Sequence, residues 1–503
     1  MIKPSGSVTR SLLLVICGAL LTLSYSPFHW HWLPFIILPI VVRLIWPLAP
    51  KRAFRAGFLF GMGWFGAGLS WIYVSIDQYG GVPVPVTLLL LVLLFAYLAL
   101  FPAIAFWCWQ KLSHRKFAWR FSLPFFWLIA ELLRGWLFTG FPWLSLGYSQ
   151  TDGIFGGLAP VIGETGITVA LWFTAITMVL AFRFKKPASL LIPLIFLSCS
   201  VVFPKIQPTE RKAESMSVLL VQGNIQQSLK WQAEQQWPNI LRYLDLTRPK
   251  FNHDLVIWPE SAITALEPYA SDVLNTVEQS ASMNDSALVT GIIDYDRLND
   301  DFYNSVIVLD DDSYNYGNAN RYQKHQLLPI GEFVPFEDLL RPLAPLFNLP
   351  MSSFSRGGYQ QPNLKANGSN LAMAICYEIA FAGQVRSNTY DDTDYLVTIS
   401  NDTWFGDSHG PWQHMQIARM RAMELGKPLL RATNNGVTAA VDEHGQYIEL
   451  APQFTATALS ADVYPVSGST LFNKIGNWGA IILALFGLLP VIATKRTKKR
   501  AQT

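Results

Sequence analysis

The chain has 503 residues, of which 51% are hydrophobic and only 15% are charged. This composition is too apolar and too aromatic for an ordinary soluble protein, and it indicates a membrane protein. The net charge of +3 gives no support for nucleic-acid binding.

Apolar stretches of about 17–25 residues are long enough to cross the hydrocarbon core of a bilayer. The sequence predicts eight such spans, near residues 11–27, 31–48, 56–76, 84–109, 122–139, 162–183, 187–204 and 476–494. We do not interpret the first as a cleaved signal peptide, because no small-residue cleavage site is clear and further spans follow. We therefore predict a polytopic α-helical membrane domain over 1–204, with a last span and a basic tail over 476–503.

Basic residues alternate between the loops that connect these spans. Five clusters are basic: Lys3 and Arg10; Lys51, Arg52 and Arg55; Lys111, Arg115, Lys116 and Arg120; Arg183, Lys185 and Lys186; Lys495, Arg496, Lys498, Lys499 and Arg500. The intervening loops SPFHWHW, SIDQYGGVPVP and GFPWLSLGYSQTDG contain no Lys or Arg. By the positive-inside rule, the basic loops and both termini are cytoplasmic, and the polar segment 205–475 lies on the outer face.

The segment 205–475 alternates short apolar stretches with helical patterns. The predicted strands are SVLLVQGNI (217–225), DLVIWPES (254–261), ALVTGII (287–293), NSVIVLD (304–310), NLAMAIC (370–376) and DYLVTISND (394–402). WQAEQQWPNILRYLDLT and MQIARMRAMELGKPLL are typical of helices, and VTAAVDEHGQYIEL predicts a hairpin that turns at 443–445. This alternation predicts an α/β layer structure whose polar groups collect at the strand ends.

Three of these strand ends carry residues that suit catalysis. Glu260 closes DLVIWPE, Cys376 closes NLAMAIC, and Lys324 follows the strand at 304–310, with Glu332 eight residues beyond it. Each has an ordinary explanation when it is taken singly. A cysteine packs well in a core, a glutamate after Trp-Pro is usually a turn residue, and a lysine is usually solvated.

The outer face gives Cys376 a reason to be chemically active. The other cysteines, Cys17, Cys108 and Cys199, lie in apolar stretches, so Cys376 has no disulfide partner in the polar segment. A thiol reacts as the thiolate and needs a base, which a carboxylate in an apolar, Trp-lined pocket can provide. A fixed ammonium can stabilise the oxyanion that follows, and a second carboxylate would keep that ammonium charged. The spacing alone does not show that these groups meet.

These residues occur in motifs that resemble a known family. The set WPE (258–260), YQKHQLLPIGEFVP (322–335) and ICYE (375–378) resembles the Glu–Lys–Cys signature of the nitrilase, or carbon–nitrogen hydrolase, superfamily. Two longer motifs, ELLRGWLFTGFPWLSLGYSQ (131–150) and SNDTWFGDSHGPWQHMQIARMRAMELGKPLLRATNNG (400–436), are similar to the apolipoprotein N-acyltransferase family. The resemblance implies a nitrilase-like α-β-β-α sandwich over 205–475 in the periplasm, attached to about eight helices of a bacterial inner membrane.

The resemblance also implies the reaction and the roles of the site residues. Cys376 would take an acyl chain from a phospholipid as a thioester and pass it to the α-amine of the S-diacylglyceryl N-terminal cysteine of an apolipoprotein. Glu260 would be the base and Lys324 the oxyanion partner. The remaining residues would be supporting residues (Glu332, Tyr377 and Glu378) and substrate-binding residues (Trp231 and Trp404). No cofactor, metal ion or nucleic acid is implied.

Alternative functions stay open at this stage. A membrane-anchored amidase or nitrilase would use the same Glu, Lys and Cys with water as the acceptor. GDSHG matches the G-x-S-x-G elbow of a serine lipase, with Ser408 as the nucleophile, although Pro411 follows and no strand leads directly into it. His409 and His414, near Asp402 and Asp407, are a weak candidate metal site. A transporter or receptor would leave the acid, amine and thiol without a purpose.

One pair of charges lies inside a predicted span. Glu131 and Arg134 are three residues apart in 122–139, which is costly in a bilayer unless they pair or meet a wet cavity. Pairing within one helix and a site for lipid headgroups or domain docking are both compatible with the sequence.

Overall fold

The structure is a computed structural model, and it describes residues 7–113, 117–310, 314–317, 320–333 and 353–490. Lys3, Arg115, Lys116, the basic cluster from Lys495 onward and the end of the predicted span 476–494 lie outside the described residues. The chain forms two compact units. One comprises Met1–Asp77, Pro83–Gln207 and Lys474–Thr503, and the other comprises Gln78–Val82 and Pro208–Asn473.

The first unit is built from apolar helices. Its helices are Ser7–Leu20, Pro34–Ile45, Pro50–Gly68, Ile72–Val74, Val84–Ser113, Leu123–Arg134, Ala159–Phe184, Leu191–Val202 and Trp478–Phe486. By length and composition, four helical segments of the described residues can cross a membrane: Ser7–Ser24, Val84–Ser113, Gly156–Phe184 and Pro187–Ile206. Pro50–Gly68 and Ile72–Tyr79, bent by 63°, can form a fifth. The count of eight spans therefore stays a prediction.

Small residues allow close packing between helices of this unit. A Cβ atom on Gly18 would lie 2.1 Å from the carbonyl oxygen of Phe60, and one on Gly63 would lie 2.1 Å from that of Val15. Neither site can accept a side chain unless the helices Ser7–Leu20 and Pro50–Gly68 move apart. Such contacts between backbones are typical of helix packing in membranes.

Arg134 and Glu131 form an ion pair within their helix, as one of the two interpretations of the sequence expected. Glu131 also accepts a hydrogen bond from Trp127 Nε1 at 3.0 Å. Arg134 donates to the backbone carbonyl oxygens of Phe141 and Trp143, both at 2.6 Å. The two charges are thus compensated by each other and by polar groups nearby, which lowers the cost of placing them among apolar helices.

The second unit contains two sheets. Its strands are β1 (Thr209–Arg211), β2 (Met216–Gln222), β3 (Leu255–Ile257), β4 (Ala287–Asp296), β5 (Asp301–Leu309), β6 (Arg321–Gln323), β7 (Leu364–Ala366), β8 (Ser369–Ile375), β9 (Tyr395–Ser400), β10 (Leu429–Thr433), β11 (Ala439–Val441), β12 (Tyr447–Leu450), β13 (Thr457–Val463) and β14 (Val466–Gly468). One six-stranded sheet has the order β12-β11-β10-β9-β8-β7, and the other has the order β13-β2-β3-β4-β5-β6. The short strands β1 and β14 pair separately.

The two six-stranded sheets pack face to face. Their inner faces share one buried apolar cluster, which includes Val218, Ile257 and Val289 from one sheet and Met373, Val397 and Leu430 from the other. The unit's helices are Gln227–Lys230, Gln236–Thr247, Ser271–Ser282, Ala382–Ser387, Gly410–Leu425 and Leu471–Ile475. Gln236–Thr247 and Ser271–Ser282 cover the outer face of the β2 sheet, while Gly410–Leu425 and Ala382–Ser387 contact β10 and β8. The predicted α-β-β-α sandwich is confirmed.

The six predicted strands correspond to β2, β3, β4, β5, β8 and β9, and β11 and β12 form the predicted hairpin. One predicted helix, 415–430, is wrong at its end. The helix Gly410–Leu425 ends at Gly426, whose φ of +63° is left-handed and costs a glycine little. The residues that follow form the buried strand β10 instead.

Candidate active site

The topology brings several strand ends to one edge of the sandwich. Glu260 follows β3 and Cys376 follows β8, and both strands run parallel to a neighbour in their sheet. β5 runs antiparallel to β4, so Asn304 near the start of β5 lies at this same edge. β6 then returns along β5 and ends beside Asn304, where the backbone N–H of Lys324 donates to the Asn304 carbonyl oxygen at 2.8 Å.

Four buried side chains meet there, and we name Glu260, Asn304, Lys324 and Glu332 the acid–amine cluster. Lys324 Nζ lies 2.8 Å from Glu332 Oε1 and 3.6 Å from Glu260 Oε1. Asn304 Nδ2 donates to the same two oxygens, at 2.7 Å to Glu260 and 2.9 Å to Glu332. The ammonium and the amide together hold two carboxylates close to each other, which their mutual repulsion would otherwise oppose.

The second oxygen of each of these two carboxylates accepts a hydrogen bond from a backbone N–H. Glu332 Oε2 accepts a hydrogen bond from the N–H of Leu328 at 2.8 Å. Glu260 Oε2 accepts one from the N–H of Asn401 at 2.8 Å, which joins the two sheets at this edge. The ammonium of Lys230 donates to the backbone carbonyl oxygen of Glu260 at 3.0 Å.

The charges of the cluster act on Lys324 itself. Burial favours its neutral form, but the carboxylates of Glu332 and Glu260 outweigh burial and raise the pKa of Lys324. Lys324 is therefore an ammonium across the physiological pH range, and only 1% of it is exposed. A fixed positive charge in a site of low polarity interacts strongly with any negative charge that develops nearby.

Cys376 lies at the end of β8, at the start of the 3-10 turn Cys376–Ala380. Its φ of +52° is left-handed, a conformation that non-glycine residues adopt at some cost and that is frequent at functional sites. Burial raises the pKa of the Cys376 thiol, the carboxylate of Glu260 raises it further, and Lys324 lowers it. The structure thus brings the predicted acid, amine and thiol within electrostatic reach of one another.

Glu378 connects the chain segments that carry the thiol and the ammonium. Its Oε2 accepts from the N–H of Ile375 at 2.8 Å, and its Oε1 accepts from the N–H of His325 at 2.7 Å. Ile375 directly precedes Cys376, and His325 directly follows Lys324. Burial raises the pKa of Glu378, and the backbone hydrogen bond from Ile375 and the charge of Lys324 partly offset that effect.

A second buried group, which we name the histidine cluster, consists of Asp402, His414 and Arg431. His414 Nε2 donates to the backbone carbonyl oxygen of Cys376 at 3.0 Å, and its Nδ1 lies 3.0 Å from Asp402 Oδ1 and 2.9 Å from Nη2 of Arg431. Arg431 also donates to Asp402 Oδ2 at 2.9 Å. Burial and the charge of Arg431 lower the pKa of His414, which is neutral at neutral pH. His414 therefore contacts protein atoms through both ring nitrogens, which does not fit the metal-site alternative.

The predicted aromatic residues lie in different surroundings. Tyr377 is buried, and its ring packs edge-on against Phe381 with 5.1 Å between centroids. Trp231 is partly exposed and directly follows Lys230. Trp404 is also partly exposed and lies in the 3-10 turn Asp402–Phe405. The two tryptophans can thus reach a ligand, whereas Tyr377 mainly supports the turn after Cys376.

Ser408 does not have the geometry of a nucleophile elbow. β9 ends at Ser400, and the turn Asp402–Phe405 separates it from Ser408. Ser408 Oγ donates to the Phe405 carbonyl oxygen at 2.7 Å and accepts from the N–H of Gly410 at 3.1 Å. These contacts are typical of a serine hydroxyl that stabilises a local turn through nearby backbone groups.

Sequence reasoning missed two residues of this site, Asn304 and Lys230. Asn304 opens the stretch NSVIVLD, and a polar residue at the end of an apolar strand was the available signal. Lys230 gave no such signal, because a lysine beside a tryptophan in a polar segment is usually solvated. Its burial depends on tertiary packing against the backbone of Glu260.

Comparisons with known proteins agree over the whole chain. Residues 17–177 match the family described as "Apolipoprotein N-acyltransferase N-terminal domain", and residues 218–469 match "Carbon-nitrogen hydrolase". Among solved structures, Nit3 of Saccharomyces cerevisiae, a member of the nitrilase superfamily, aligns at 17% identity with a TM-score of 0.37, over 50% of this chain and 91% of its own.

Full-length relatives are much more similar. The chain is 45% identical to the apolipoprotein N-acyltransferase of Shewanella oneidensis over 515 residues, with 99% of this chain and 98% of the relative covered. It is 42% identical to that of Photobacterium profundum over 509 residues, with the same coverage of 99% and 98%. On this similarity, the chain belongs to the apolipoprotein N-acyltransferase family.

Proposed function

We propose that this chain transfers a fatty acyl chain from a membrane phospholipid, through a thioester on Cys376, to the α-amine of the S-diacylglyceryl N-terminal cysteine of apolipoproteins. This is the last step of bacterial lipoprotein maturation, and the two substrates would react in turn. The observation that carries the proposal is the acid–amine cluster at the edge where Cys376 ends its strand. The family membership supports the substrate class.

In the first half-reaction, Glu260 accepts the thiol proton, and the sulfur of Cys376 attacks the ester carbonyl carbon of the phospholipid. The carbonyl oxygen becomes an oxyanion, which the ammonium of Lys324 stabilises. The bond between the carbonyl carbon and the glycerol oxygen then breaks, and Glu260 returns its proton to that oxygen. A thioester and a lysophospholipid result.

In the second half-reaction, the free amine of the apolipoprotein attacks the thioester carbonyl carbon. Lys324 again stabilises the oxyanion, and the bond between carbon and sulfur breaks. A proton leaves the amine through Glu260, and the sulfur of Cys376 regains one. An amide forms, and the site returns to its starting state without a cofactor.

The other predicted residues have supporting roles in this proposal. Glu332 keeps Lys324 charged and in place, and Glu378 fixes the backbone on both sides of the site. Tyr377 supports the turn that follows Cys376, and Trp231 and Trp404 contact the lipid substrates. Glu260 and Lys324 are buried, and a site shielded from water limits hydrolysis of the thioester.

The proposal includes the membrane arrangement expected from the sequence. Residues 1–204 would form seven spans, 205–475 the periplasmic catalytic domain, and 476–503 the eighth span with a cytoplasmic basic tail. The inner membrane places both lipid substrates at one interface with the site. The alternating basic loops support this orientation.

A mass measurement tests the first half-reaction. We expect that incubating the chain with phospholipid vesicles alone adds one acyl group to the peptide that carries Cys376, and that Cys376→Ala prevents it. An acyl group on another residue, or turnover without acylation of Cys376, would contradict the proposal.

A second measurement separates acyl transfer from hydrolysis by an amidase-like enzyme. Adding a peptide with an S-diacylglyceryl N-terminal cysteine should move the acyl group to its α-amine. The same peptide with an acetylated amine is the matched control and should leave the thioester intact. Rapid release of free fatty acid without any peptide would favour water as the acceptor.

A further inference from the structure

Lys230 is a buried lysine that the proposed mechanism does not use. It ends the short helix Gln227–Lys230, and only 1% of it is exposed. Its ammonium donates one hydrogen bond, to the backbone carbonyl oxygen of Glu260 at 3.0 Å. Within the described part of the chain, its ammonium makes no other hydrogen bond and no ion pair with a carboxylate, and it lies 6.0 Å from the centroid of the Trp231 ring. A buried ammonium without such partners is costly and needs an explanation.

The charge balance of the site supplies that explanation. Glu260 and Glu332 carry two negative charges, and Lys324 carries one positive charge, so the acid–amine cluster has a net charge of −1. When the proton of Cys376 passes to Glu260, the negative charge moves from that carboxylate to the sulfur, and the total stays at −1. The charge of Lys230 brings this total closer to zero, because both Glu260 and Cys376 interact electrostatically with it.

We propose that Lys230 is a positioning residue that fixes the backbone of Glu260 and supplies the positive charge that offsets the developing thiolate of Cys376. This inference rests on the proposed function, since it concerns formation of the thioester. Lys324, which lies between two carboxylates, then serves mainly the oxyanion. Lys230 would thus offset the charge of the thiolate, and Lys324 would offset the charge of the oxyanion.

The pKa of Lys230 predicts how the rate of acylation of Cys376 should depend on pH if Lys230 has this role. Burial lowers the pKa of Lys230 to about 8, and the charge of the Glu260 carboxylate opposes this effect. Lys230 is therefore charged below pH 8 and loses its charge as the pH rises through that value. The pKa values of Lys324 and Cys376 are both raised, so these groups keep their protons in this range. Lys230 is the group around the sulfur whose charge should change there.

The experiment measures the rate of acylation of Cys376 by phospholipid on both sides of pH 8, with no amine acceptor present. We expect the wild-type rate to fall above pH 8 as Lys230 deprotonates. Lys230→Arg keeps its charge at high pH and should remove this alkaline decline. Lys230→Met has no charge at any pH, and it should be slower by about tenfold or more, with no decline near pH 8.

Lys427 provides a matched control. It is also a buried lysine whose pKa burial lowers to about 8, but it donates to the backbone carbonyl oxygens of Thr393 and Val466, outside the site. Lys427→Met should reduce stability while the alkaline decline of the acylation rate remains. A variant that only disturbs folding would behave in this way.

The outcomes separate this inference from the proposed function. An alkaline decline that persists in both Lys230→Arg and Lys230→Met, in protein that still forms the thioester, would overturn the role of Lys230 alone. Loss of the decline in Lys427→Met would overturn it as well. If the wild type forms no thioester at all, the proposed function fails and the inference fails with it. Should Lys230→Met not fold, the profile of Lys230→Arg decides.

Discussion

Cys376 has two buried polar clusters beside it, and they differ in how their charges are matched. In the acid–amine cluster, two carboxylates share one ammonium and one amide. In the histidine cluster, Arg431 donates to both Asp402 and His414, and His414 donates to the backbone carbonyl oxygen of Cys376. The first cluster therefore carries a net charge of −1, whereas in the second the guanidinium of Arg431 forms an ion pair with the one carboxylate, that of Asp402.

This difference distinguishes the cluster to which we assign proton transfer from the cluster to which we assign a supporting role. In the proposed mechanism the proton of Cys376 moves to Glu260, which shares the ammonium of Lys324 with Glu332. In the histidine cluster, the charge of Arg431 outweighs burial and lowers the pKa of Asp402, the hydroxyl of Ser400 adds to this effect, and His414 stays neutral. No group of this cluster gains by moving a proton near neutral pH. Proximity to the sulfur alone thus does not identify a catalytic group.

The largest expected effect comes from Glu260→Gln, which removes the proton acceptor and nearly preserves the shape of the side chain. We expect the rate of acylation of Cys376 to fall by about 10²- to 10⁴-fold, because this is the usual contribution of a general base. Single-turnover acylation by phospholipid measures the effect. The resistance of the solubilised variant to unfolding is the control, and it should stay near the wild-type value.

Asp402→Asn should disrupt the histidine cluster with the opposite result, which is a large loss of stability and little loss of acylation. It leaves Arg431 buried without a negative partner, which costs about 3–5 kcal/mol of stability. Denaturant unfolding followed by tryptophan fluorescence measures this cost. The fraction of folded molecules that become acylated should stay close to wild type, and a selective loss of acylation at full stability would contradict the supporting role.

The same comparison predicts a pH effect on stability. The folded state lowers the pKa of Asp402, so this carboxylate stabilises the fold above its unfolded pKa of about 3.9. That stability is lost as the pH falls below this value, because the unfolded chain then binds the proton first. The acid-induced loss of stability should therefore be smaller in Asp402→Asn than in the wild type.

Asn304→Asp tests how the charge of the acid–amine cluster affects acylation. It replaces the amide donor that bridges Glu260 and Glu332 with a third carboxylate, which would repel both. We expect acylation to slow by about tenfold and the acidic side of its pH profile to move upward, because a third carboxylate raises the pKa of its neighbours. Asn304→Leu removes the donor without adding charge, and it should slow acylation less. Equal rates for both variants would mean that packing, and not charge, sets the effect.

The sequence was sufficient for the features that depend on local patterns. Apolar stretches identified β2, β3, β4, β5, β8 and β9, and the motifs identified Glu260, Lys324 and Cys376 as candidates. β10 was missed because LGKPLL continues a helical pattern, and the left-handed Gly426 became apparent only in the structure. Asn304 and Lys230 were missed because their importance depends on contacts with residues distant in the chain.

The smallest expected effect is that of Ser408→Ala, which tests the serine-lipase alternative. Ser408 accepts from the N–H of Gly410 just before the helix Gly410–Leu425, and losing one such local hydrogen bond costs about 1 kcal/mol of stability. Its hydroxyl contacts neither the acid–amine cluster nor the histidine cluster in the described residues. Acylation of Cys376 should therefore stay within about twofold of wild type, because the hydroxyl does not contribute to stabilising the transition state of this reaction. A serine nucleophile would instead require complete loss of activity, and an acyl group on Ser408 in the wild type would move the chemistry away from Cys376.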